Sequence, residues 1–107
     1  MFKSAFIVMA PDGDPTKHRA TVSTEKAEMT VVFIEMTDFD EAVEVAKDLV
    51  QNQGVQSIYL CAGFTHQAVA RVTTAVAGRA AVQVGRGDGP STAMVVDILT
   101  KEGWFNE

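Results

Sequence analysis

The run Ile58-Tyr59-Leu60-Cys61, continued by Ala62-Gly63-Phe64-Thr65-His66, constrains the fold of this 107-residue chain more than any other stretch. Four successive residues that are apolar or nearly so do not alternate as a strand with one wet face would. They suit a strand covered on both faces by helices, the environment of parallel sheets. Gly63 then permits backbone angles that a Cβ forbids, and Thr65 is placed to cap a helix. Strand, glycine turn and helix make one βα unit, and in open α/β sheets ligands bind where such strands end.

The other elements fit around that unit. Phe2 to Met9 reads as a strand rich in Phe, Ile and Val. Its apolar part, Ala5 to Ala10 behind Lys3, is short for a signal core and meets Pro11, so a strand is expected rather than a signal peptide. Residues 10–28 follow, with two prolines, Asp12 and Asp14 around Gly13, and the basic cluster Lys17-His18-Arg19. A connection this long points to a binding loop, a lid or an intersubunit arm, with a solvated loop as the plain alternative. Within it, Ala20 to Ser23 can be extended.

Met29 to Met36 is the second strand. Asp38 to Glu41 has the spacing of a capping box, and Phe39, Ala42, Val43, Ala46, Leu49 and Val50 recur with helical period up to Gly54. Gly54 is a natural residue just past a helix end. Asp38, Asp40 and Glu41 therefore belong to a helix start, where acids complement the dipole, rather than to a catalytic cluster.

Val55 to Cys61 is the third strand, followed by a helix from about His66 to Ala77 that stops at Gly78. Its Val and Thr content is poor for a helix, so tertiary contact must hold it. Ala80 to Val84 is the fourth strand. Gly85 to Ser91 is a second glycine-rich turn, with Pro90 suited to open a last helix. That helix is expected to carry Met94, Val95, Ile98 and Leu99 inward and to end near Gly103; a strand over 93–98 is the alternative. Trp104 and Phe105 are expected to dock on the sheet or on another subunit. The order β-β-α-β-α-β-α predicts a single three-layer α/β domain, Rossmann-like in outline, with a four-stranded, mostly parallel sheet and right-handed crossovers. The direction of the first strand stays open.

Net charge of −5 argues against a general binder of nucleic acid or anionic membranes, which needs a basic face. The single cysteine forms no intramolecular disulfide and makes a reducing cytoplasm the expected location. No stretch approaches the roughly 20 apolar residues of a membrane span. The dinucleotide fingerprint fails because Pro90 stands at the third glycine position, and there is no P-loop. No cofactor is indicated, and His18, His66 and the acids lack a metal-ligand spacing.

What remains is a convergence of turns at the carboxyl edge of the expected sheet. Gly63, Thr65 and Gly87 offer backbone donors, Arg86 a positive charge, and Asp88 and Ser91 further polar contacts. His18, with Lys17 and Arg19, reaches the same edge if the long loop folds over it, and Asp12 and Asp14 join it if the first strand is parallel. His66 is the candidate acid or base, and Cys61 with His66 the only nucleophile–base combination; a cysteine within an apolar run is more often a small hydrophobe. Each of these turns also serves simply to change the direction of an α/β chain.

Two segments, Ala10-Pro11-Asp12-Gly13-Asp14-Pro15-Thr16-Lys17-His18-Arg19 and Leu60-Cys61-Ala62-Gly63-Phe64-Thr65-His66, resemble a small prokaryotic family labelled only as a domain of unknown function. The similarity runs from residue 1 to about residue 89 and departs at Ala62 and Thr65, where glycines are expected. The resemblance implies a compact α/β domain and directs attention to His18, Arg19, Cys61, Gly63 and His66; it implies no activity. The expected role is binding of a small anionic metabolite, or a minor enzymatic role, at the carboxyl edge. A non-catalytic, homo-oligomeric interaction module is the alternative.

Overall fold

The computed structural model describes residues 1–105. Its elements are β1 (Phe2–Ala10), β2 (Arg19–Ser23), β3 (Ala27–Glu35), α1 (Phe39–Gln53), β4 (Ser57–Leu60), α2 (His66–Val76), β5 (Ala81–Val84) and α3 (Thr92–Lys101). The strands form one sheet in the order β2-β3-β1-β4-β5. β1 runs parallel to both β3 and β4, and β4 parallel to β5. β2 runs antiparallel to β3 at the edge.

The sheet is thus five-stranded and mixed, not four-stranded. The extra strand comes out of the long 10–28 connection. Thr24 folds the chain back: its N–H donates to the Ala27 carbonyl, and its Oγ1 accepts from the Lys26 and Ala27 N–H groups. The hydroxyls of Thr21 and Thr30 then meet across the pair at 2.8 Å. Ala20 to Ser23, expected as an extended stretch but not counted among the strands, belong to it; polar Arg19, Thr21 and Ser23 give this edge strand no apolar signature.

Helix α1 forms where its pattern predicts. Asp38 accepts from the Glu41 N–H at 3.0 Å, and Gly54 closes the helix at φ 71°. Glu41 accepts from the Glu35 N–H at 3.2 Å, so the box reaches back to the preceding strand. Asp40 pairs with Arg71 and links α1 to α2. The acids of this turn are structural.

The three-layer expectation is overturned. Ile7, Ile34, Ile58 and Leu60 are fully buried beneath Ala46 and Leu49 of α1 and Val72 and Val76 of α2. The next residues along the same strands, Phe6, Val8, Val31, Phe33 and Tyr59, point the other way and are only partly buried. Tyr59 therefore corrects the reading of Ile58 to Cys61 as a strand covered on both sides. Crossover handedness supplies the reason. The β3-α1-β4 and β4-α2-β5 crossovers advance in one direction across the sheet, so both right-handed units place their helix on one face. The β1-to-β3 connection advances the opposite way, and a helix there would cover the other face, but the chain spends that connection on β2. Nor does α3 cover it. None of its residues is buried, and Met94, Val95 and Ile98, expected inward, are 66%, 50% and 49% exposed. The radius of gyration of 14.1 Å exceeds the ~13 Å usual for this length, as a protruding helix requires.

Candidate functional site

Because β1 is parallel, the turn after it reaches the carboxyl edge together with the turns after β4 and β5. The first turn is built by its own hydrogen bonds. Gly13 N–H donates to the Ala10 carbonyl at 3.1 Å, and the Lys17 and His18 N–H groups both donate to the Asp14 carbonyl, at 3.0 and 2.7 Å. The Asp14 carboxylate accepts from the Thr16 hydroxyl at 2.7 Å and the Thr16 N–H at 2.9 Å. Those two bonds hold its carboxyl below the ordinary value. The Asp14 N–H in turn donates to His18 Nδ1 at 3.0 Å, so the neutral ring carries its proton on Nε2. Arg19 Nε donates to the Pro15 carbonyl at 2.8 Å, which leaves the outer guanidinium nitrogens without a hydrogen bond among the described residues. At Gly13 a Cβ would run into the Ile34 carbonyl, so only glycine lets this turn lie against β3. The segment is a fixed turn and edge strand.

This turn borders an open cavity of about 390 Å³. Its floor is apolar: Ala10, Ala20, Val31 and Phe33, all on the open face of the sheet. Its rim is Lys17, His18 and Arg19, with Asp12 the one acid. Lys17, His18 and Arg19 were expected at the edge if the loop folded over it, and Asp12 if β1 ran parallel; the apolar floor was not read as part of a site. Strand parity could have found the floor, since Val31 and Phe33 alternate with the core residues Val32 and Ile34.

The second group of expected residues lies around another cavity, about 420 Å³, between the turns after β4 and β5. Phe64, His66, Arg86 and Asp88 line it, and it shares no lining residue with the first. Arg86 donates from Nε and Nη2 to the two carboxylate oxygens of Asp88, at 2.9 and 3.0 Å. This pairing raises the Arg86 pKa and lowers that of Asp88. Arg86 and Asp88 thus hold each other in solvent, and an anion arriving at Arg86 would compete with a carboxylate already in place. His66 is exposed in the first turn of α2. Thr65 Oγ1 accepts from the Ala68 N–H at 3.1 Å and is occupied as a cap. Ser91 caps α3 by position without a side-chain hydrogen bond and, with Gly87, borders a further cavity of about 300 Å³.

Cys61 packs partly buried against the core, and no hydrogen bond joins it to His66 among the described residues. Gly63 is favoured for a different reason from the one expected. Its φ is not positive; a Cβ there would sit 2.6 Å from Met9 Cε, the movable end of a β1 side chain, so a larger residue would have to displace that methyl. Gly87 is less crowded: a Cβ there would sit 3.4 Å from the Ala62 Cβ, an ordinary packing contact. No group of three or more His, Cys, Asp or Glu residues able to hold a metal ion occurs among the described residues. Among them, too, no helix is long and apolar enough to cross a membrane.

A family model described as a family of unknown function (DUF6506) matches residues 2–98. The match spans every strand and both packed helices and continues into α3, farther than the resemblance in the sequence reached. Among curated proteins and among solved structures, nothing matches the chain. The chain belongs to the DUF6506 family.

Proposed function

We propose that this member of DUF6506 binds a small anionic metabolite with an apolar body, in the cavity at the carboxyl end of β1. The observation that carries this reading is the combination of an apolar floor, Val31 and Phe33, with a basic rim set by internal hydrogen bonds. Small-molecule sites are concave and mostly apolar, with a few placed polar groups that orient the ligand. Here Arg19 presents free guanidinium nitrogens, His18 an Nε2–H, and Lys17 a mobile ammonium, a set suited to a carboxylate or phosphate. Because Asp14, Pro15 and Thr16 fix His18 and Arg19 beforehand, little ordering remains to be done on binding. Arg86, engaged with Asp88, is the weaker anion site.

The test is a thermal-shift screen of small carboxylates and phosphates bearing apolar groups, on the wild type, Arg19→Ala and Arg86→Ala. A ligand at one hundred times its Kd stabilises by about 2.7 kcal/mol. The expected hit loses its shift in Arg19→Ala and keeps it in Arg86→Ala. The reverse pattern would move the site to the turn after β5.

A further inference from the structure

We infer that the open sheet face is covered by helix α3 of a second copy of this chain, and that two copies exchange these helices reciprocally. Two unsatisfied surfaces in one chain lead there. Between its ends and outside the cavity floor, the open face presents Phe6, Val8, Met29 and Tyr59, with Ser4, Ser57 and Gln83 as its polar residues and no charged side chain. A sheet face in water normally alternates to polar residues. The second surface is α3. Met94, Val95, Ile98 and Leu99 fall on one side of the helix, and Asp97, off that side, pairs with Lys101 at 3.0 Å. Met94, Val95 and Ile98 on the apolar side are all exposed, as is Val96 toward the back of the helix.

The connection between the two surfaces disfavours closure within one chain. Gly85 N–H donates to the Leu60 carbonyl at 2.9 Å, Thr92 Oγ1 donates to the Gly87 carbonyl at 2.8 Å, and Arg86 grips Asp88 within the same turn. These bonds fix the linker in the geometry that holds α3 off its own sheet. Area also favours a second copy. A ten-residue helix is about 15 Å long, and docking it on a sheet removes on the order of 700 Å² from water, counting both surfaces. Reciprocal exchange doubles this to on the order of 1,400 Å², within the roughly 1,200–2,000 Å² of stable protein interfaces. One helix without its return partner falls short of that range. The inference is independent of what fills the basic cavity, although the cavity floor lies on the same face, so the partner's helix would pass beside it.

The test measures mass in solution by light scattering for the wild type, Val8→Lys, Ile98→Glu and an equimolar mixture of the two variants. Both positions are at least partly exposed in the single chain, and thermal unfolding checks that each variant stays folded. The wild type is expected at twice the chain mass of 11.5 kDa, and each variant at the chain mass. The mixture is expected to recover dimer, because one exchanged contact joins the intact helix of Val8→Lys to the intact sheet of Ile98→Glu, and the return contact sets the introduced positive charge on the sheet against the introduced negative charge on the helix. A monomeric wild type would overturn the inference, leaving the face to α3 of the same chain or to a different partner. A dimer that survives Ile98→Glu would overturn it in favour of sheet faces meeting directly.

Discussion

Ile7 and Val8 are neighbours on one strand, similar in chemistry and opposite in fate. Ile7 is fully buried beneath the helices, whereas Val8 is partly exposed on the other side of the same sheet. The two faces are almost equally apolar, and only one carries a layer. Strand alternation decides which residues share a face. Whether anything lies on that face depends on the direction in which each crossover steps across the sheet, and here both helical crossovers step the same way.

The sharpest way to break this comparison is to shorten both neighbours. Ile7→Ala should cost about 2–5 kcal/mol in urea unfolding, the range for truncation in a packed core. Val8→Ala should cost about 1 kcal/mol or less at dilutions where the chain is monomeric, and more as concentration rises if a second copy covers it. Equal costs at high dilution would show that one chain covers both faces by itself.

Gly13→Ala should rank next, at about 1–3 kcal/mol, because the added methyl pushes against the backbone of Ile34 rather than a movable side chain. The same substitution should abolish any ligand-induced thermal shift, since it displaces the turn that carries His18 and Arg19. Thr65→Ala should cost about 0.5–2 kcal/mol through loss of the α2 cap, a stability effect with no change in binding at the Arg19 cavity. Asp88→Asn should be smallest, within about 0.5 kcal/mol, because its pair with Arg86 is exposed.

Acid offers a further check on the first turn. The Asp14 carboxyl titrates below its ordinary value, so its bonds to Thr16 favour folding above the ordinary carboxylate range. That contribution is lost as pH falls through the lowered value. The Thr16 amide proton shift, followed by NMR, should titrate with its midpoint below the ordinary carboxylate value. A midpoint at or above that value would mean that the turn is not held by Asp14.

The sequence by itself determined the local elements. The capped start and glycine stop of α1, the βα unit around Gly63 and the last helix all lie where residue patterns put them, because caps, periodicity and glycine turns act over a few residues. The presence of the 10–19 turn at the carboxyl edge was legible only conditionally, since Asp12 and Asp14 needed β1 to be parallel and His18 and Arg19 needed the loop to fold over that edge. Tertiary structure alone decided the rest. It paired β2 with β3, required Gly13 by bringing the Ile34 backbone against it, and engaged Arg86 with Asp88 through the shape of one turn. It also left one apolar face and one amphipathic helix without a partner in the same chain. Local pattern marks a surface as apolar, but burial is a relation between segments distant in sequence, and crossover topology sets which of them meet.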